Sequence, residues 1–327
     1  MKVVKQSVEI LDHKNVDPQK YIEKIARVCY KSENLITEDS NKRMIKMLYD
    51  NAHLAMLEHF IFTYSIPVEY YKTLLDSIDM KDLKYIRLSM IEKKSESLCI
   101  ISFSARAIIE LYRKTLFKCR DILMHIMEQV VFDHDCKELF GSFVLPISHY
   151  NIEELDVDHL MYDDYYEYNK LYSHLWISAK FICDRGVSHE LVRHRDASFA
   201  QESSRYCCYN KDKFGNEITV VSPIQFIADK SKNDNSEKYN IWKKSMEDSE
   251  QAYFDLLNSG VTAENARSVL PTSLKTEIVV TAFYDEWKHI IDLRCEKGAH
   301  PDMINIMTIF KNNMRIHDNL FDKFLKR

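Results

Sequence analysis

Arg193-His194-Arg195-Asp196-Ala197-Ser198-Phe199-Ala200-Gln201-Glu202-Ser203-Ser204-Arg205-Tyr206, the stretch RHRDASFAQESSRY, packs three arginines, a histidine and three serines into one short segment. Arginine presents a planar fork of donors that matches phosphate, and serine hydroxyls complete such a pocket. Ordinary solvated basic faces interleave lysine, and this stretch has none. The segment therefore reads as an anion pocket for a phosphorylated ligand.

The surrounding chain sets bounds on that ligand. It has 327 residues and a net charge of -5, with 46% hydrophobic residues. That charge argues against bulk nucleic-acid binding and against an anionic membrane surface, but leaves room for a local basic pocket. The 5 glycines and 6 prolines argue against long linkers and many-turned sandwiches. No apolar run approaches the ~20 residues that span a bilayer. The start, MKVVKQSVEILD, has no apolar signal core. The 8 cysteines form no C-x-x-C pair, so free thiols in a reducing cytoplasm are expected.

Periodicity assigns a weak edge strand to 3–10 and helices to 18–30 and 39–55. The aromatic, β-branched run FIFTYSI at 60–66 reads as a strand. From 69 to 178 the composition shifts toward Lys, Glu, Asp, Tyr and Leu. We read this part as a mostly helical insertion, with a strand at 98–103, a long helix at 104–131 and an acidic-aromatic patch, YDDYYEY, at 162–168. The expected core is 1–68 with 179–327. In it, helices are expected at 171–185, stopped by Gly186, and at 188–194, followed by the basic segment as a loop. A strand at 217–222 and helices at 235–259 and 263–269 come next. A strand at 276–283 and helices at 284–297 and 301–326 close the chain. Strands and helices mix without regular βαβ alternation, so the class is α+β, or irregular α/β.

Arg294 is the most telling residue outside the basic segment. At about 100° per residue, it falls on the same side as Trp287, Ile290 and Ile291. A charge on that apolar stripe must meet a carboxylate or a ligand, because arginine does not shed its proton. Arg267 stands at a helix-to-loop junction in ENARSVLP, where carbonyl capping is the usual role. His53 and Glu58 precede the 60–66 strand, either as a core hydrogen-bonding pair or as the lining of a cofactor site. HELVRH at 189–194 has one residue too many for a zinc-protease helix. Its histidines point about 140° apart and cannot share a metal, so no metal site is expected. Dinucleotide fingerprints, Walker loops and hydrolase elbows are missing from the sequence. Cys207 and Cys208 lack an assignable base and read as structural.

The segment Asp184 to Ser198, continued through Ser203-Ser204-Arg205-Tyr206, closely resembles the signature of the flavin-dependent thymidylate synthases, RHR-x-x-S followed by S-x-R-Y. Ala26 to Tyr30, His53 to Phe62, Ala266 to Pro271 and Leu293-Arg294 resemble further family segments in the same order. The likeness covers roughly 1–68 and 179–310, and 69–178 looks like the insertion of a longer subgroup. It implies reductive methylation of dUMP to dTMP, with FAD as cofactor and methylenetetrahydrofolate and NADPH as co-substrates. It also implies a cytoplasmic homotetramer with shared sites.

By position, the resemblance puts His53, Glu58, Arg193, His194, Arg195 and His289 on FAD. It puts Glu190, Arg193, Gln201, Ser203, Ser204, Arg205 and Arg267 on dUMP, with Gln201, Ser203, Ser204 and Arg205 coming from a neighbouring subunit and mostly on the phosphate. Arg294 is the implied catalytic residue, facing the uracil ring and stabilising its negative charge. This chain departs from the family pattern at Ala55, where a threonine is common. Phe283-Tyr284-Asp285 stands where Asn-x-Arg is common, and Gly298 replaces a histidine. The insertion is expected to supply missing contacts. A sister reaction at the pyrimidine C5, such as hydroxymethylation, and a non-catalytic nucleotide- or RNA-binding homologue are the alternatives.

Overall fold

The computed structural model describes residues 1–78, 86–92, 97–115, 117–141, 144–145, 150–161, 168–205, 207–210, 214–227 and 235–326. Of the acidic-aromatic patch, 162–167 lies outside the described residues, as does Tyr206 of the basic segment.

The expected edge strand at 3–10 is two strands, β1 (Lys2–Val4) and β2 (Ser7–Leu11). Helix α1 (Pro18–Tyr30) starts where expected. Asp17 Oδ1 accepts from the amides of Gln19 and Lys20, and Pro18 occupies the first turn. It ends at Lys31, which adopts φ 49°. Helix α2 (Ser40–Asp50) stops short of Ala55, because Ala52 turns to φ 56° and a 3-10 turn over 54–58 follows. Strand β3 (Ile61–Ile66) matches the FIFTYSI run.

Next come α3 (Val68–Ser77), β4 (Ile86–Ile91), β5 (Leu98–Ser104), α4 (Ala105–Lys114) and α5 (Phe117–His134). The single long helix expected at 104–131 is thus two helices, broken where Thr115 is extended at ψ 160°. The short elements β6 (Glu153–Glu154), α6 (Val157–Leu160) and α7 (Tyr168–Tyr172) follow. Strands β4, β5, β3 and β6 form one antiparallel sheet in that order, so the 69–178 stretch completes a sheet begun at 61–66. Phe62, Tyr64, Phe103, Ile108, Ile126 and Phe140 share its core.

The largest correction is at 171–185, where a helix is expected and β7 (Trp176–Asp184) is found. It pairs with β2 on one edge and a later strand on the other, and its faces enter different cores, Trp176 with the first sheet and Ile177, Ala179 and Phe181 with the helices of the second. A strand buried on both faces carries no period of two, so its apolar run mimics a helix. Gly186 does not stop a helix. It lies in the first turn of α8 (Arg185–Leu191), which Asp184 caps by accepting from the Val187 amide at 2.8 Å. The basic segment is not all loop either, since β8 (Ser198–Gln201) pairs with a later strand.

Strand β9 (Thr219–Val221) pairs in parallel with β1. Helices α9 (Ile224–Ile227), α10 (Asn235–Asn258) and α11 (Ala263–Ala266) follow, and Gly260 at φ 90° closes α10. Strand β10 (Lys275–Phe283) is the hub of the second sheet, with β7 on one side and β8 on the other. Helices α12 (Tyr284–Arg294), α13 (Pro301–His317) and α14 (Asn319–Leu325) complete the chain. The expected helix 301–326 breaks at Asp318, which is extended and caps α14 through the amides of Leu320 and Phe321. Trp287, Phe310 and Phe321 cover one face of this sheet, and Trp287 donates to the Ile177 carbonyl at 3.1 Å. No helix among the described residues is long and apolar enough to cross a membrane.

Candidate functional site

The end of α8 delivers Glu190 and the start of the basic segment. Arg193, Arg195 and Asp196 are exposed, while His194 between them is buried at 5% exposure. Burial of one residue in an exposed turn needs a partner, and the last turn of α12 supplies it. Arg294 Nε donates to His194 Nε2 at 3.0 Å. Because arginine only donates, Nε2 is the acceptor and the ring proton stands on Nδ1. Nδ1 faces Glu286 Oε1 at 3.6 Å, and His289 packs edge-on against the ring at 5.7 Å.

Arg294 meets a carboxylate within its own chain. Nη1 donates to Glu190 Oε2 at 2.9 Å, and Nη2 donates to the Glu190 carbonyl at 2.9 Å. Its side chain is 15% exposed. The guanidinium is thus held by bonds within the chain, from the end of α8 and from His194. Glu190 also lines a cavity of about 300 Å³ with Asp184, Gln225, Thr272, Ser273 and Asp302.

The second half of the segment gathers elsewhere. Gln201 Nε2 donates to Ser188 Oγ at 2.9 Å and to Thr276 Oγ1 at 3.1 Å, which holds it against α8 and β10. The Ser203 amide donates to the Cys29 carbonyl at the end of α1, at 3.1 Å. Arg267 Nη1 donates to Ser204 Oγ at 3.3 Å, and Arg205 pairs with Glu264 at 3.1 Å. Both arginines are exposed, so their charges face solvent beside two serines.

His53 and Glu58 do not bond to each other. His53 Nδ1 shares a 2.5 Å hydrogen bond with Tyr30 OH. Glu58 is buried, and its Oε2 accepts from Ser198 Oγ at 2.9 Å while Oε1 accepts from Arg106 Nη1 at 2.8 Å. Neighbouring His59 is fully buried, its Nδ1 2.7 Å from Thr281 Oγ1, and burial pushes its pKa down to about 3. Burial also pushes the Cys29 thiol up to about 12, which leaves it inert at neutral pH.

At the departures from the family pattern, Phe283 is buried with the Arg87 guanidinium 4.6 Å over its ring. Asp285 pairs with Arg87 at 3.2 Å. Ala55 is half-buried in the 3-10 turn, and Gly298 is exposed. The sequence reading missed Arg87 and Arg106, which come from the 69–178 stretch, along with Tyr30, Glu264 and Glu286. Only Glu286 had a signal, lying eight residues before Arg294 on the same helix. Ligand atoms of His194, Glu286 and His289 lie within 4.8 Å of one another, a group able to hold a cation. However, the Arg294 charge on His194 Nε2 and the proton on Nδ1 oppose one.

Comparison with known proteins matches residues 9–70 and 156–315 to the family model described as thymidylate synthase complementing protein. A flavin-dependent thymidylate synthase of Pyrococcus furiosus is 39% identical over 117 residues, covering 36% of this chain and 45% of that protein. The Thermococcus onnurineus enzyme of the same name is 42% identical, covering 36% and 44%. That of Geobacter sulfurreducens is 36% identical over 115 residues, covering 35% and 45%. The chain thus spans less than half the length of these relatives in the matched stretch. Among solved structures, a UMP/dUMP methylase PolB from Streptomyces cacaoi, bound with 5-Br UMP, matches at TM-score 0.37 and 19% identity. That match covers 45% of this chain and 71% of the other.

Proposed function

The chain belongs to the thymidylate synthase complementing protein family, whose model matches most of its length, and on that premise we propose that it is an FAD-dependent thymidylate synthase. The reaction is reductive methylation of dUMP to dTMP, with methylenetetrahydrofolate as carbon donor and NADPH as reductant. The observation that carries this reading is the Glu190–Arg294–His194 cluster beneath the basic segment. It is a guanidinium held where the end of α8, the buried His194 and the end of α12 meet.

The donor set fits an anionic dinucleotide. Arg193 and Arg195 expose two charges on either side of His194, Glu58 bonds to Ser198 at the start of β8, and His53 stands five residues before Glu58 against Tyr30. His289 adds a ring beside His194. Flavin, when bound there, supplies the hydride chemistry. The chain's own groups bind and polarise. Ser203, Ser204, Arg205 and Arg267 grip the nucleotide phosphate, and Gln201 positions the segment. Arg294 stabilises negative charge on the pyrimidine, with Glu190 and Arg193 beside it. We read 69–178 as an added segment on a core of 1–68 and 179–327.

The phosphate-gripping cluster and the Arg294 cluster are joined across subunits in this reading, as a homotetramer of the cytoplasm. Val192 and Leu293, 42% and 45% exposed next to Arg193 and Arg294, are apolar surface suited to such a contact. Purified protein is expected to be yellow and to convert dUMP to dTMP only with folate and NADPH. A protein that takes up no flavin would refute the reading. Product mass separates methylation from hydroxymethylation at C5.

A further inference from the structure

Glu58 is reached by a charge that the compact part of the fold does not contain. Arg106, at the second position of α4, donates from Nη1 to Glu58 Oε1 at 2.8 Å and from Nε to Glu110 Oε1 at 2.7 Å. Glu110, one turn further along α4, fixes the direction of the guanidinium. Helix α4 itself is anchored at its start, where Ser104 Oγ accepts from the Ala107 amide at 3.2 Å. The Arg106 side chain is 33% exposed, whereas Glu58 is 11% exposed, so the pair has one foot in solvent and one in the core. The other oxygen of Glu58 accepts from Ser198 Oγ, which is 2% exposed and is the first residue of β8.

A carboxylate rotates about its last bond unless both oxygens are engaged. With one oxygen on Arg106, the second points at Ser198. Ser198 closes the turn that starts at Arg193, and it pairs with Thr281 of β10. The chain Glu110–Arg106–Glu58–Ser198 therefore runs from the 69–178 segment to the point where the basic turn enters the sheet. Without Arg106, the buried carboxylate of Glu58 would lose a charge-assisted bond, a loss that favours its reorientation toward water.

We propose that Arg106 is a positioning residue for the flavin-side wall of the site. It holds Glu58 so that Glu58 pins Ser198, and with it the Arg193–Ser198 turn. The 69–178 segment is then a working part of the site and not a peripheral addition. The proposal rests on the flavin reading above, and its test separates the two.

The experiment compares wild type with Arg106→Ala, Arg106→Lys, Glu58→Ala and the double variant Arg106→Ala/Glu58→Ala. Two readouts are used, flavin affinity by fluorescence quenching and amide hydrogen exchange over 193–201 in flavin-free protein. Arg106→Ala is expected to weaken flavin binding about tenfold, the equivalent of one charge-assisted contact. It is also expected to lose exchange protection at 197–199. Arg106→Lys restores part of both, because it keeps the charge but not the fork. On the Glu58→Ala background, removing Arg106 adds no further loss. Unchanged flavin affinity and protection in Arg106→Ala would overturn the proposal, as would an equal further loss on the Glu58→Ala background. Should wild type bind no flavin, the functional reading fails. The exchange result then stands alone, lost protection supporting the positioning role and retained protection refuting it.

Discussion

Arg294 and Glu190 offer a sharp quantitative test, because the sequence places a charge on an apolar stripe and the structure gives it a named partner. The perturbation is a double-mutant cycle of Arg294→Met, Glu190→Ala and the pair, the methionine keeping an aliphatic stem beside Trp287 and Ile290. Arg294 makes three bonds, to the Glu190 carboxylate at 2.9 Å, the Glu190 carbonyl at 2.9 Å and His194 at 3.0 Å. Hydrogen bonds to charged groups contribute about 1.5–3 kcal/mol each in favourable cases. Glu190 is 30% exposed, so water replaces part of what is lost. The arrangement lies between a surface pair, worth about 0.2–1 kcal/mol, and a buried one, where removing one partner costs about 3–5 kcal/mol. Arg294→Met should therefore destabilise by about 2 kcal/mol, with a Glu190–Arg294 coupling of about 1–2 kcal/mol. Glu190→Ala should cost less, because Arg294 keeps the carbonyl at 190 and the ring of His194. Urea unfolding followed by tryptophan fluorescence reads both, since Trp287 stands on the same helix as Arg294. A coupling below about 0.3 kcal/mol, the range of independent sites, would refute the claim that Glu190 holds the guanidinium. If Arg294 also acts on substrate, turnover in Arg294→Met falls by at least about a hundredfold, far beyond the effect of Glu190→Ala.

Two further outcomes follow from buried titratable groups. His59 and His174 are 0% and 1% exposed, and burial holds each pKa at about 3. The unfolded chain therefore binds more protons between about pH 6.5 and 3, and stability falls as pH drops through that window, by up to about 1.4 kcal/mol per pH unit for each histidine. His174→Asn should flatten the slope of urea midpoint against pH, and an unchanged slope would sink the assignment. At Glu277, burial opposes ionisation, but Lys275 and Lys31 more than offset it and hold the carboxyl down at about 2. This contribution is present above about pH 4.5 and is lost as pH falls toward 2. Lys275→Met, which also strands Glu202 at 3% exposure, should cost about 3 kcal/mol at pH 7 and much less at pH 3. An equal cost at both pH values would contradict it.

What the sequence revealed and concealed follows one rule, the range over which each signal acts. Elements with local punctuation were legible. Pro18 marked the first turn of α1 and Gly260 the end of α10, because such residues act within a turn. The helical face carrying Trp287, Ile290, Ile291 and Arg294 was legible for the same reason, and so was the demand for a carboxylate or a ligand, which the structure answers with a carboxylate. Which carboxylate answered was not, because Glu190 lies 104 residues away. Strand β7 was misread because β2 and β10 cover its edges and packing covers both faces, which erases the alternation that marks a strand. The basic segment's second role, as β8, was hidden because the strand has only four positions and sets Phe199 and Ala200 side by side between Ser198 and Gln201, which leaves no polar–apolar alternation to read. The Arg106–Glu58 contact joins residues 48 apart in segments of different composition, and no periodicity spans such a gap. Once β3 and β5 pair, however, the contact becomes almost obligatory. Ile61 stands opposite Ser104, so residues three before one and two after the other are brought to the same corner of the sheet. An acid buried there at 58 calls for a cation, and Arg106 on the first turn of α4 supplies one.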